Sequence, residues 1–295
     1  SCAAWGSDCL ESNEFIYGKY GRGWHLDRTR FDTMLASAAV TRGSRLFTNT
    51  HVVDTHQTGS GWRLTLRQGG DHSMIIDATF VIDATGRRAA FAARLGMKKQ
   101  RVDHLLGAFV FLRGPETEDS YSMVEAAADG WWYSALLPGT GMGAAWMSDA
   151  DLMKQQQVKT PAHWFARLQQ SAHTRRRVSS AEPLTQPVLQ AAGSQQLEQV
   201  TGDHWLAVGD AAATFDPLSS LGIFKALRTG ILASYAVRDF LTGDRSGLDK
   251  YRLILEREFA EYLMTRAEFY GQERRWASAP FWRRRHEGEH AEMAK

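Results

Sequence analysis

The chain has 295 residues, a formal charge of +2 and only two cysteines, Cys2 and Cys9. Near-balanced charge gives no reason to expect a nucleic-acid partner, and two cysteines exclude a disulfide scaffold or a zinc-finger spacing. No run reaches the ~18 apolar residues of a membrane helix, and no charged-then-apolar leader opens the chain; the scarcity of cysteines makes a reduced, cytoplasmic setting the default expectation.

In chain order, RTRFDTMLASAAVTRG (28–43) reads as an amphipathic helix, with Phe31, Leu35 and Ala38/Ala39 on one face and Gly43 closing it. Strand-like runs follow: RLFTNTHVVDT, GWRLTLRQ and SMIID, with QGGD (68–71) as a hairpin loop. This meander feeds a final apolar strand, Thr79–Asp83. From Leu105 to Met147, four Gly- and Pro-punctuated strands predict a second sheet. Thr160-Pro161 starts a helix through Gln170, with proline at its first position. Trp205–Val208 form a buried strand, Ile223–Leu241 a helix, and Leu248–Tyr270 a long helix with Tyr251, Leu255, Phe259 and Leu263 at four-residue spacing. The Arg175–Arg177 and Arg283–Arg285 clusters read as solvated helix faces, and Lys225 as a solvated lysine.

Two strand ends carry the candidate chemistry. In TFVIDATGRRAA (79–90) an apolar strand stops at Asp83 and turns through Gly86. In WLAVGDAAATFDPLSSLGIFKALRTG (205–230) Gly209 permits a tight turn and Asp210 presents a carboxylate just past the strand, where it can accept hydrogen bonds from ligand hydroxyls. Ala211–Ala213 leave room beside it and Pro217 stiffens a second turn. Ser219, Ser220 and Gly222 then lead to the helix at Ile223. The unpaired amides of that helix start favour an anionic group by roughly 0.3–1 kcal/mol. In open α/β sheets, ligands bind beyond such carboxyl ends. Trp131, Trp132 and Tyr133 alternate on a strand and are candidates for lining an aromatic pocket, with core packing as the alternative. His25, near Arg28, is weighed as a site residue against a structural role.

These motifs resemble the FAD-dependent monooxygenase and halogenase superfamily, with the p-hydroxybenzoate hydroxylase fold, and within it the tryptophan-halogenase-like branch. That branch includes flavoproteins that hydroxylate peptidyl tryptophan. GWHLDRTRFDTMLASAA resembles the family's Arg-bearing helix, which implies Arg28 at the cofactor. VIDATGRR looks like its Asp-x-x-Gly strand end, implying Asp83 and Gly86 beside FAD. VGDAAATFDPLSSLGIFKAL is similar to its Gly-Asp motif. That implies Asp210, after Gly209, on the ribityl or ribose hydroxyls, and Pro217, Ser219, Ser220, Gly222 and Ile223 beside the isoalloxazine.

The implied fold is mixed α/β: an FAD-binding Rossmann-like domain, a β-sheet substrate domain and C-terminal helices. The expected division is 1–100 and 191–243 for FAD, 101–190 for substrate, and 244–295 as a helical segment. The family's opening strand, G-x-G-x-x-G turn and helix are missing here. The one formal glycine match, GTGMGA (139–144), leads into a strand and is rejected. The chain thus reads as a member lacking its first βαβ unit, as a partial reading frame would. WWYSALLP (131–138) departs from the halogenase Trp-x-Trp-x-Ile-Pro pattern and tilts the expectation toward hydroxylation. The expected activity is therefore NAD(P)H-driven monooxygenation of an aromatic small molecule or a peptidyl tryptophan through a flavin hydroperoxide. Flavin-dependent halogenation and a non-catalytic remnant unable to hold FAD stay open beside it.

Overall fold

The computed structural model describes residues 1–12, 24–70, 72–114, 121–139 and 141–292. Asp71 of the hairpin loop, Gly23 of GWHLDR and Thr140 of GTGMGA lie outside them. The chain forms two compact units, each built from separated segments. The first comprises Ser1–Thr33, Asp103–Ala192 and Met264–Lys295, and the second Met34–Val102 and Gly193–Leu263.

The first unit is organised by an eight-stranded sheet. The alternating apolar pattern of residues 105–149 produces its centre. Strand Gly141–Asp149 pairs antiparallel with both Leu105–Arg113 and Gly130–Leu136. Met123–Ala127 continues the meander, and Cys2–Ala4 adds in parallel to it. Gly141–Asp149 being a strand confirms that GTGMGA does not open a phosphate-binding helix. One core cluster packs Trp132, Trp146, Trp164, Leu112 and Met142 together. Trp132 meets Trp146 and Trp164 at centroid distances of 5.1 Å each, and the Trp164 indole N–H donates to the Ala108 carbonyl at 2.9 Å. The helix begun by Thr160-Pro161 ends at Leu168, two residues early.

The solvated-face reading of the arginine clusters is corrected in both places, because carboxylates and carbonyls draw one arginine of each inward. Arg177 is buried, donating to the Ser134 carbonyl and hydroxyl at 3.1 Å each and lying over the Tyr121 ring. Arg285 is buried against Asp149 at 2.8 Å and stacks 3.5 Å above the Phe281 ring.

Among the described residues the second unit contains three small sheets. Strands Thr50–Thr58, Gly61–Gln68 and His72–Ala78 form the expected antiparallel meander. Lys99–Arg101, Gln195–Leu197 and Ala213–Thr214 form another sheet. In the third, Val81–Asp83 pairs in parallel with Trp205–Ala207. Helix Gly222–Leu241 packs Ala233 and Ala236 against the core made by Trp62, Phe91, Trp205, Leu206 and Tyr251. The long helix runs from Ser246 to Gln272, and Tyr251, Leu255 and Phe259 are buried at the spacing the sequence predicts.

Helix Arg28–Thr41 also forms, and Gly43, at φ +96°, closes it. Its predicted apolar face is not buried, however: no residue of the helix is, and Leu35 and Met34 stand 41% and 56% exposed. Among the described residues no helix is long and apolar enough to cross a membrane.

Candidate functional site

The two motif-bearing strands lie side by side and run the same way, with Asp83 opposite Ala207 in the register. Their turns therefore leave the same end of one sheet. The Val208 amide donates to the Asp83 carbonyl at 3.0 Å, extending the pairing to the edge of the Gly-Asp turn.

The aspartates at these ends do different work. Asp83 is buried, and both its oxygens are taken by its own chain. Oδ1 accepts the Thr85 amide at 3.0 Å and hydroxyl at 2.6 Å. Oδ2 accepts the amides of Phe91 and Ala92 at 3.0 Å each. It thus satisfies the open amides of the short helix Ala90–Arg94 and folds the turn through Gly86, which sits at φ +66°. Asp83 positions this loop; its carboxylate is not turned out to a ligand.

Asp210 is the outward-facing acid. Gly209 adopts φ +56°, a region that favours glycine, and its amide donates to Thr229 Oγ1 at 2.9 Å. A Cβ at Gly209 would lie 3.5 Å from that of Ala226, so the turn rests directly on helix Gly222–Leu241. Asp210 Oδ1 accepts from Lys225 Nζ at 2.8 Å, while the aspartate side chain stays 42% exposed. Among the described residues no hydrogen bond reaches Oδ2, which leaves it able to accept ligand hydroxyls.

Lys225 is the residue that the sequence reading missed, and its expected solvation is overturned. Its side chain is 6% exposed. It also donates to the Ala213 carbonyl and lies 4.6 Å from the centre of the Phe215 ring. Burial pushes its pKa down, with the Asp210 carboxylate working in the opposite direction. The available signal is the spacing Lys225, Thr229, Ala233, Ala236: these four are the buried residues of the helix and mark its inward face.

Beyond the acid the loop is tightly built. Asp216 is buried, its Oδ1 accepts the Leu218 amide at 2.9 Å, and its own amide donates to the Tyr262 hydroxyl at 2.7 Å. Tyr262 stacks on Phe215 with ring centres 4.0 Å apart. Pro217–Ser219 form a short 3₁₀ turn, and the Ser219 hydroxyl donates to the Asp216 carbonyl. Ser220 takes a left-handed conformation at φ 53°, after which the helix begins at Gly222. Pro217, Ser220 and Gly222 are exposed, Ser219 and Ile223 half-buried, and nothing lies within 4 Å of where a Gly222 Cβ would sit. The small residues Ala211–Ala213, expected to leave room beside the acid, are instead buried, Ala211 and Ala212 in the core of the second unit, so the exposed part of the motif is Asp210 together with the turn and helix start at Pro217, Ser220 and Gly222.

The other candidates lie in the first unit. Arg28 opens its helix and forms an exposed pair with Asp32, Nη2 to Oδ2 at 3.0 Å. His25 is exposed. Trp131 and Trp132 are fully buried: the Trp131 indole donates to the Tyr270 hydroxyl at 3.1 Å, and Trp132 packs on Trp146 and Trp164. Core packing accounts for both. Tyr133 is half-buried. Among the described residues no group of three or more His, Cys, Asp or Glu could hold a metal ion.

Known proteins resemble this chain over most of its length. Residues 9–295 match the family model for tryptophan halogenase. LodB of Marinomonas mediterranea, named as an FAD-dependent oxidoreductase, is 28% identical over 285 residues, covering 96% of this chain and 76% of LodB. The flavin-dependent halogenase CmlS superposes with a TM-score of 0.83 at 23% identity, over 97% of this chain and 54% of its own. The peptidyl tryptophan dihydroxylase QhpG gives a TM-score of 0.75 at 25% identity, over 96% of this chain and 62% of its own. The chain thus spans little more than half of CmlS and under two thirds of QhpG.

Proposed function

The chain belongs to the tryptophan halogenase family, and we propose that it supplies the ribityl- and ring-side part of an FAD site in an enzyme that oxidises an aromatic ring. The observation that carries this is the half-exposed Asp210, with Oδ2 open, beside the exposed start of a 20-residue helix. The donor set fits. A fixed carboxylate suits sugar or ribityl hydroxyls, and open helix amides suit a ring that becomes anionic on reduction. When bound, FAD would supply the activation of oxygen. Asp210 would hold the hydroxylated chain of the cofactor. The backbone of Pro217–Ile223 would lie beside the ring, and the helix start would stabilise its negative charge. Gly86 would approach the cofactor through backbone, with Asp83 holding the turn. Arg28 is carried as a further flavin contact and Tyr133 as a substrate contact, both from the family resemblance and the sequence pattern. NAD(P)H is the proposed electron donor.

Halide as the first acceptor of the activated oxygen, giving halogenation of an aromatic substrate, is the reading favoured by the family model and by the likeness to CmlS. Hydroxylation, of a tryptophan side chain in a peptide or of a small aromatic molecule, is the second reading. It is favoured by the likeness to QhpG and by the WWYSALLP stretch.

The test begins with flavin. The full chain titrated with FAD is expected to quench flavin fluorescence, and D210N to weaken binding about ten-fold or more, the worth of one or two hydrogen bonds to a charged acceptor. A wild-type chain that binds no flavin overturns the assignment. Product mass with and without chloride then separates the two chemistries: exchange of hydrogen for chlorine marks the first, gain of one oxygen in chloride buffer the second.

A further inference from the structure

Helix Gly222–Leu241 grips the Gly-Asp turn at two points one helical turn apart. Thr229 Oγ1 accepts the Gly209 amide at 2.9 Å and donates back to the Lys225 carbonyl at 2.8 Å. Lys225 Nζ holds Asp210 Oδ1 at 2.8 Å and the Ala213 carbonyl on the far side of the same turn. Both side chains are buried, and the Phe215 ring closes over the ammonium. A lysine that only filled space could reach solvent along its flexible stem. This one instead takes its charge inward, where isolation from water is costly, and finds an anion, a carbonyl and a ring face.

We propose that Lys225 is a positioning residue for ligand recognition: by committing Oδ1 of Asp210 it fixes that carboxylate in one orientation and keeps Oδ2 turned to the hydroxyl groups of the ligand. The proposal rests on the flavin reading of the site and adds to it the residue that sets its selectivity. An unclamped aspartate, 42% exposed, would sample several rotamers and lose part of its binding contribution to ordering. A clamped one is ordered before the ligand arrives. The clamp acts on hydroxyls alone, since the flavin ring meets other parts of the loop. Lys225 therefore controls the preference for flavins that carry a hydroxylated chain over those that do not.

The experiment compares FAD with lumiflavin, which has the ring but no ribityl chain, by fluorescence titration of the 295-residue wild type, K225M, D210N and the double variant. K225M is expected to weaken FAD about ten-fold and to leave lumiflavin unchanged. The double variant is expected to bind FAD no more weakly than D210N, because the lysine acts only through the aspartate. Equal losses for both flavins, or additive losses in the double variant, overturn the proposal. Should K225M not fold, K225Q, which is one atom shorter and carries no charge, takes its place with the same expectations. A wild type that binds neither flavin defeats the flavin reading instead. The clamp is then judged from crystal structures of wild type and variant: an Asp210 carboxylate that swings away supports it, and one that stays in place overturns it.

Discussion

Replacing Asp83 with asparagine tests whether that residue holds the loop or the ligand. Four donors converge on the carboxylate, two on each oxygen. An amide offers one oxygen and one NH2 group. The oxygen must face Phe91 and Ala92, whose donors are both backbone amides and cannot reverse. The NH2 then faces Thr85. The Thr85 hydroxyl can rotate to accept, although it already accepts the Ala90 amide. The Thr85 amide cannot, and it loses its partner. One orphaned amide costs about 1–3 kcal/mol, and two bonds reduced from charged to neutral cost about 1 kcal/mol each. The sum is about 3–5 kcal/mol, a large share of the stability of a unit this size. Calorimetry of the full chain should show the transition of the second unit lowered by about 10 °C or more. Hydrogen exchange should show the Thr85 amide losing protection, while Phe91 and Ala92 keep their acceptor. If D83N melts within about 1 kcal/mol of wild type, keeps the Thr85 amide protected and loses FAD affinity, Asp83 contacts the ligand and this reasoning fails.

Tyr262→Phe removes the acceptor of the buried Asp216 amide while keeping the ring on Phe215. It is expected to destabilise the second unit by about 1–3 kcal/mol, and hydrogen exchange should report the loss at residues 216–222; unchanged protection there would count against the loop being pinned from this helix. In the first unit, the Arg284 guanidinium beside Asp151 holds its pKa down at about 2, against an ordinary 3.8. The stability that this pair contributes is complete above pH 3.8 and is lost as pH falls through about 2. Asp151→Asn should therefore flatten the acid limb of the melting curve. The effect is small and shrinks with salt, because both partners are about half exposed, and an identical acid limb in the variant would refute the assignment.

The parts of this chain that were readable from sequence are those where local rules and burial coincide. The meander at 50–78 has period-two alternation and short turns, and nothing elsewhere in the chain had to be known to place it. The long helix buries Tyr251, Leu255 and Phe259 because four-residue spacing puts them on one side of any helix. The Gly-Asp loop was readable because a positive φ at Gly209 and a stiff turn at Pro217 restrict which residues can stand there. Where the reading failed, the deciding partner came from a distant segment. Lys225 lies on the inward face only because Asp210, Ala213 and Phe215 offer a charge, a carbonyl and a ring at the right height. Arg177 and Arg285 likewise turn inward toward groups contributed by other segments. Helix Arg28–Thr41 shows the converse: its period is helical and the helix forms, yet periodicity alone does not say what would cover the apolar side.

The two strand ends carry this further, because their sequences look alike and their chemistry differs. Each is an apolar strand that stops at or just short of an aspartate and turns through small residues, and the parallel pairing brings them to one edge. At Asp83 the chain folds back within nine residues, so the amides of the next helix reach the carboxylate and consume it. At Asp210 the next helix starts a dozen residues later. Among the described residues none of its amides donates to the acid, and the helix holds the turn through the side chains of Lys225 and Thr229. The delay between acid and helix thus decides whether the carboxylate is spent on the fold or kept for a ligand. On that ground the proposed ligand-binding role falls to Asp210, and Asp83 is the framework residue, although both strands end at the same edge of the same sheet.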